Sequence, residues 1–246
     1  MVGSTEPCSR TGMVVIMTTL AGAHILVIGA TGGLGTAVSR ALADSGARLT
    51  LSGRSDERLG GLRGELGELV VGIEPGDLTA PDIPATIVRN AHAAQGVLDG
   101  VVFAAGVVAF GEIVDIDDDV LDQLMLVNLM APIRIARAAI GLLPAGGFLA
   151  SISAVVAEHP VKGMAAYSAT KGGLTAFDAA AGAELRRRQI RVLDIRPVHT
   201  ETGLAERTIA GAPPRLPAGA NPQEVARRIV RAIADDEREL PSSAFA

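Results

Sequence analysis

The sequence predicts an α/β fold, one domain holding a doubly wound parallel sheet with helices on both faces. Three observations carry that prediction. Short aliphatic and β-branched runs alternate along the chain with longer stretches of helix-forming composition, which is the arrangement of βαβ units. Several of the runs are apolar on consecutive residues, as strands covered on both faces require. No Pro/Ser-rich linker interrupts the alternation, so residues 23–246 are expected to fold as a single domain behind a leader over residues 1–22.

The elements follow in order. The leader, MVGSTEPCSRTGMVVIMTTLAG, carries one Arg and a short apolar run ended by Thr18 and Thr19. That makes a poor signal peptide, and a disordered leader is expected, with Met13 or Met17 as alternative starts. HILVIG (24–29) is the first strand, followed by a helix over 34–45. ARLTLSG (47–53) precedes a helix over 56–66, and LVVGIE (69–74) one over 84–94. LDGVVFAAG (98–106) leads to a helix over 120–143, and GGFLASIS (146–153) to one over 164–188. IRVLDIR (190–196) leads to the last helix, 222–235, where Asn221 offers an N-cap oxygen and Pro222 the fixed φ of a first helical residue. Between these two lies 203–221, rich in Pro and Gly and too long for a simple connector; such a loop is expected to act as a lid. The ending, DDERELPSSAFA, leaves room only for a short seventh strand at Leu240.

Composition excludes several function classes. Lys plus Arg number 22 against 27 Asp plus Glu, a net charge of −5 with no basic block to follow a phosphate backbone, so nucleic acid is not an expected partner. No run approaches the roughly 18 continuous apolar residues of a membrane span. A single cysteine, Cys8, forms no internal disulfide and fits a reducing compartment, so a soluble cytoplasmic protein is expected. The histidines, His24, His92, His159 and His199, lack ligand spacing, and no metal is expected.

Three motifs point to chemistry. GATGGLG (29–35) joins the first strand to the first helix, where glycines let backbone N–H groups approach a pyrophosphate at a helix N-terminus. At the end of the second strand, where an NAD site would place an acid on the ribose 2′-hydroxyl, the chain reads LSGRS. Arg54 there offers a planar cation that matches a 2′-phosphate, so NADP is expected ahead of NAD. In YSATK (167–171) the chain's one tyrosine precedes a lysine by four residues, which puts both on one helix face. An ammonium beside a phenol favours the phenolate and would lower a pKa ordinarily about 10.

With these residues in order, the chain resembles the short-chain dehydrogenase/reductase family, whose fold is of the Rossmann type. The resemblance spans about residues 22 to 235 and rests on Gly29, Gly33 and Gly35 for the G-x-x-x-G-x-G turn, Asp77 in GDLT, FAAG (103–106), Asn128 in VNLMAP, YSATK, and RPVHTET (196–202). It implies that Gly29, Thr31, Gly33, Leu34 and Gly35 cradle the pyrophosphate and that Asp77 bonds the adenine. Ala104 and Gly106 would pack by the adenosine ribose, and Pro197, Thr200 and Thr202 would lie by the nicotinamide and phosphates. It further implies that Tyr167 is the general acid/base, Lys171 holds the nicotinamide ribose and depresses the tyrosine pKa, and Asn128 holds a water of the proton relay. A homodimer or homotetramer is implied through the small-residue helix 164–188.

The sequence departs from the family pattern in places. The serine that would bond the substrate carbonyl is expected thirteen residues before the tyrosine, at 154, where the residue is Ala154. Ser151 and Ser153 are near, but neighbours on a strand point to opposite sides, so Ser153 substitutes only if the chain shifts by one. A lost donor of this kind costs roughly 2.7–4 kcal/mol in turnover. Ile28 stands before the first glycine where a threonine is usual, and Val198 follows Pro197 where a glycine is usual. The expected activity is NADP-dependent interconversion of a carbonyl and an alcohol on a small molecule. Val155, Val156, Met164 and Leu204 in the loops suggest a moderately hydrophobic one. The alternatives are a nucleotide-binding sensor or scaffold with impaired catalysis, and an epimerase or dehydratase on the same fold.

Overall fold

The computed structural model describes residues 18–245. Cys8, Met13, Met17 and most of the leader lie outside the described residues. Seven strands form one parallel sheet in the order β3-β2-β1-β4-β5-β6-β7. They are β1 (His24–Ile28), β2 (Arg48–Gly53), β3 (Val70–Pro75), β4 (Gly100–Phe103), β5 (Phe148–Ile152), β6 (Arg191–Ile195) and β7 (Glu239–Leu240). The seventh strand is as short as its sequence suggests, pairing Glu239 with Asp194 and Leu240 with Ile195. The helices are α1 (Gly33–Asp44), α2 (Asp56–Leu66), α3 (Ile83–Gln95), α4 (Asp118–Met125), α5 (Ala131–Ala139), α6 (Ala165–Leu185) and α7 (Pro222–Ala234).

The unbroken apolar strands are explained by two cores. Ile25 and Val27 of β1 join a cluster with α1 and α7, whereas Leu26 and Ile28 join the opposite one with α3, α5 and α6. Alternate residues therefore leave opposite faces of the sheet, and both faces need apolar side chains. His24 is a packing residue, its ring nitrogens bonded to Val97 O at 2.7 Å and Thr50 Oγ1 at 2.9 Å. The cap expected at Asn221 forms, its side chain accepting from Gln223 N at 2.8 Å and Glu224 N at 3.3 Å.

Two boundaries differ from the sequence expectation. Residues 18–22, placed in the leader, pack on the end of α7: Thr18 Oγ1 donates to Asp236 at 2.6 Å and Leu20 is buried. The helix expected over 120–143 is α4 and α5 joined by a π-helical turn, Leu126–Met130. Its physical cause is Pro132, which has no N–H for the carbonyl of Asn128. The ladder widens there, with Ala131 N bonding Leu126 O.

Candidate active site

In a parallel sheet the C-terminal strand ends share one edge, and a crevice opens where the strand order reverses, here between β1 and β4. A cleft of about 820 Å³ occupies that position. Gly29, Thr31, Gly33 and Leu34 line one end of it, with Arg54 and Asp77 beside them, and Ala104, Gly106, Tyr167, Lys171, Pro197, Thr200 and Thr202 further along.

The glycine turn is built for close approach. Gly29 has φ +79°, and a Cβ there would lie 2.6 Å from Ala105 N. A side chain at Gly33 would collide with Thr202, and one at Gly35 with the Gly29 carbonyl. Gly35 thus supports the turn from beneath, and Gly33 lets the 196–202 segment close over it. Arg54 lines the cleft at the end of β2, and a second cation joins it that sequence reasoning did not single out. Arg58, on the first turn of α2, reaches back to donate to the carbonyl of Thr31. Asp77 accepts from Thr79 N at 3.0 Å and Thr79 Oγ1 at 2.9 Å, and these bonds hold its carboxyl below the usual range.

At the other end, Tyr167 and Lys171 leave α6 together. Lys171 Nζ lies 5.8 Å from the phenol ring centroid and donates to Ile152 O at 3.0 Å. Both side chains are buried. Burial brings the Lys171 pKa down to about 8, against the opposing pull of Asp194 and Asp178. Burial also pushes the Tyr167 phenol above its ordinary value, the reverse of the lowering expected from the lysine, because desolvation of a phenolate outweighs that attraction here. Asn128 stands behind the cleft wall and is fully buried. Its Oδ1 accepts from Val107 N at 2.9 Å, and its Nδ2 donates to Val107 O at 2.9 Å and to Thr170 Oγ1 at 3.3 Å. That amide ties the loop after β4 to α6. The carbonyl left free of an α-helical donor by Pro132 belongs to the same residue.

The comparisons with known proteins agree with this geometry. The model of the short chain dehydrogenase family matches residues 23–212. The chain belongs to that family of oxidoreductases. Among curated proteins, it is 27% identical over 219 residues to an uncharacterized oxidoreductase of Staphylococcus aureus strain USA300, covering 88% of this chain and 93% of that one. Among solved structures, a short chain dehydrogenase from Burkholderia cenocepacia J2315 in complex with NADP superposes with TM-score 0.83 at 25% identity, covering 92% of this chain and 98% of that one. BdcA in complex with NADPH superposes with TM-score 0.79 at 24% identity, covering 93% and 96% of the two chains.

In this short chain dehydrogenase both Ser153 and Ala154 line the cleft, and the Ser153 hydroxyl is engaged with the protein. Ser153 Oγ donates to Asp194 Oδ1 at 2.7 Å and lies 3.0 Å from Ile195 O, so it is held on β6. Ser151, two residues earlier on the same strand face, donates to Asp178 Oδ1 at 3.2 Å. Ala154 faces the other way and packs in an apolar cluster with Tyr167, Val108, Phe110 and Val156.

The same cluster forms the apolar part of the cleft. Leu204, Ile209 and Leu216 of the 203–221 loop line it. The loop is pinned at both ends, by Ile209 N to Val108 O at 2.9 Å and Ala220 N to His199 O at 2.8 Å, and so forms a wall of the site. Among the described residues no group of three or more His, Cys, Asp or Glu is placed to hold a metal ion, and no helix is long and apolar enough to cross a membrane.

Proposed function

We propose that this protein interconverts a carbonyl and an alcohol on a small, moderately hydrophobic molecule, with NADP as its hydride carrier. The observation that carries this reading is that Tyr167 and Lys171 open onto the same cleft as the glycine turn. A phenol, an ammonium and a pyrophosphate cradle in one crevice are the parts a hydride-transfer enzyme needs from its protein.

The residues fit the dinucleotide. Gly29 and Gly33 let the turn pack against Ala105 and Thr202, where a Cβ would collide, and so hold the cleft-lining backbone in place; Arg54 and Arg58 line the cleft where a 2′-phosphate would sit. Gly29, Thr31, Gly33 and Leu34 would cradle the pyrophosphate, with Gly35 supporting the turn. Asp77 would take the adenine, Ala104 and Gly106 the adenosine ribose, and Pro197, Thr200 and Thr202 the nicotinamide end. The cofactor, when bound, supplies or accepts the hydride.

Everything else falls to the chain. A phenol is protonated at neutral pH, and burial raises the Tyr167 pKa further, so its hydroxyl is the donor to the carbonyl oxygen as negative charge develops there. Lys171, with a pKa of about 8, holds the ribose and passes a replacement proton toward the phenol. Asn128 fixes the spacing between Val107 and α6, and its main-chain carbonyl, which Pro132 leaves without an α-helical donor, would accept the relay water. The apolar wall of Val108, Phe110, Val156 and Leu204 favours an uncharged substrate.

A homodimer or homotetramer in the cytoplasm accompanies this reading. Met125 and Met130, 41% and 37% exposed beside the π turn, support a contact between copies. One observation favours a second reading, a nucleotide sensor. Ala154 offers no donor, and Ser153 is held by Asp194. NADPH binding without turnover of any carbonyl or alcohol in a broad panel would favour the sensor; consumption of NADPH matched by alcohol formation supports the enzyme.

A further inference from the structure

Outside the cleft, a groove of about 330 Å³ runs between α3 and α5. Three arginines line it, Arg89 from α3 and Arg134 and Arg137 from α5, with Pro81 and Gly141 at its two ends. None of the three lies within an ion-pair distance of a carboxylate among the described residues. Arg89 Nη2 meets only the hydroxyl of Thr86, at 3.0 Å. Arg134 is more telling, because its Nη1 is buried and has no hydrogen-bond partner.

A guanidinium nitrogen removed from water and left unpaired destabilises a fold unless a ligand completes it. Three guanidinium groups without counter-charges, in a chain whose net charge is −5, concentrate positive potential in one concave place. One arginine satisfies a carboxylate; three match the larger charge and acceptor count of a phosphate, whose oxygens suit the planar fork. We propose that the groove between α3 and α5 binds a phosphate group through Arg89, Arg134 and Arg137. The site shares no lining residue with the cleft and stands whether or not the nucleotide reading holds.

The test is thermal melting of the full chain titrated with inorganic phosphate, with glycerol phosphate and with acetate, against sodium chloride at matched ionic strength. The expected result is a saturable rise with phosphate, on the order of 5 °C when phosphate is about 100 times its dissociation constant. With the cleft's own phosphate contacts removed by Arg54→Ala in every protein compared, Arg137→Ala, an exposed change, abolishes the rise. Arg134→Met folds without phosphate at least as stably as wild type, since its buried Nη1 has no protein partner to lose, and does not respond to phosphate. Tighter binding of glycerol phosphate than of inorganic phosphate identifies a phosphorylated metabolite as the source; equal binding identifies the free ion. A phosphate response that persists in Arg137→Ala and Arg134→Met, or one no larger than that to chloride or acetate, overturns the proposal.

Discussion

Ser153 donates its hydroxyl to Asp194 at 2.7 Å across the β5–β6 pair, and this bond turns the serine nearest the expected catalytic position toward a buried carboxylate. Ala154, the next residue, packs against the apolar cluster that contains Tyr167. Both residues line the cleft, but the hydroxyl of Ser153 is engaged by Asp194 and Ala154 brings only a methyl group.

Ser153→Ala is therefore expected to leave kcat within a few-fold of wild type. It should lower stability by about 1–3 kcal/mol, because Asp194 loses a buried donor. Chemical denaturation beside steady-state kinetics checks both halves. A loss of kcat above a hundredfold with stability unchanged would put the Ser153 hydroxyl in the reaction.

Ala154→Ser restores a donor lining the cleft. Adding an oxyanion contact is expected to raise kcat by roughly tenfold or more, a fraction of the roughly 10²–10³ that removing one costs. An unchanged kcat in a well-folded variant means that the substrate oxygen does not pass beside position 154.

Arg54→Ala and Arg58→Ala each remove a charge-assisted contact to a 2′-phosphate, worth about 1.5–3 kcal/mol, so NADPH affinity falls roughly 10- to 150-fold while NADH affinity holds. Fluorescence titration with both nucleotides measures this. Equal losses for NADPH and NADH would assign the two arginines to a contact common to both.

Asp178 gives a pH signature. Burial first, then Asp194, raises its pKa to about 8 from an ordinary 3.8, and its Oδ2 is buried without a partner among the described residues. With the folded pKa above the unfolded one, the folded state holds a proton that the unfolded state releases. The stability this contributes is full below about pH 4 and is lost as pH rises through about 8. Asp178→Asn should remove that decline, so its melting temperature exceeds wild type at pH 8 by more than at pH 5. Parallel pH profiles for the two proteins would contradict the raised pKa.

Much of this was legible in the sequence because the signals are local. The apolar strands, the Asn221–Pro222 cap and the glycine turn each follow from a few adjacent residues, and the structure has the strands within three residues of their expected ends. What was not legible depended on tertiary neighbours. The strand alternation says that residues 153 and 154 face opposite ways, but only the position of Asp194 on β6 decides that the Ser153 hydroxyl is engaged by a carboxylate. The π turn at Asn128 follows from Pro132, a residue readable as an ordinary helix component. The rise of the Tyr167 pKa is a desolvation effect with no sequence signature, and Arg58 enters the site only because α2 folds back toward Thr31.

The central claim is that Tyr167 delivers a proton while NADPH delivers a hydride to a carbonyl. Turnover of deuterium-labelled NADPH against a panel of uncharged aliphatic and aryl ketones, in wild type and Tyr167→Phe, tests it most directly. The expected result is deuterated alcohol formed one-to-one with NADPH consumed, falling by about 10²–10⁴ in the variant while NADPH binding is preserved. Tight nucleotide binding with no deuterium transferred by wild type, or equal transfer by Tyr167→Phe, would contradict it.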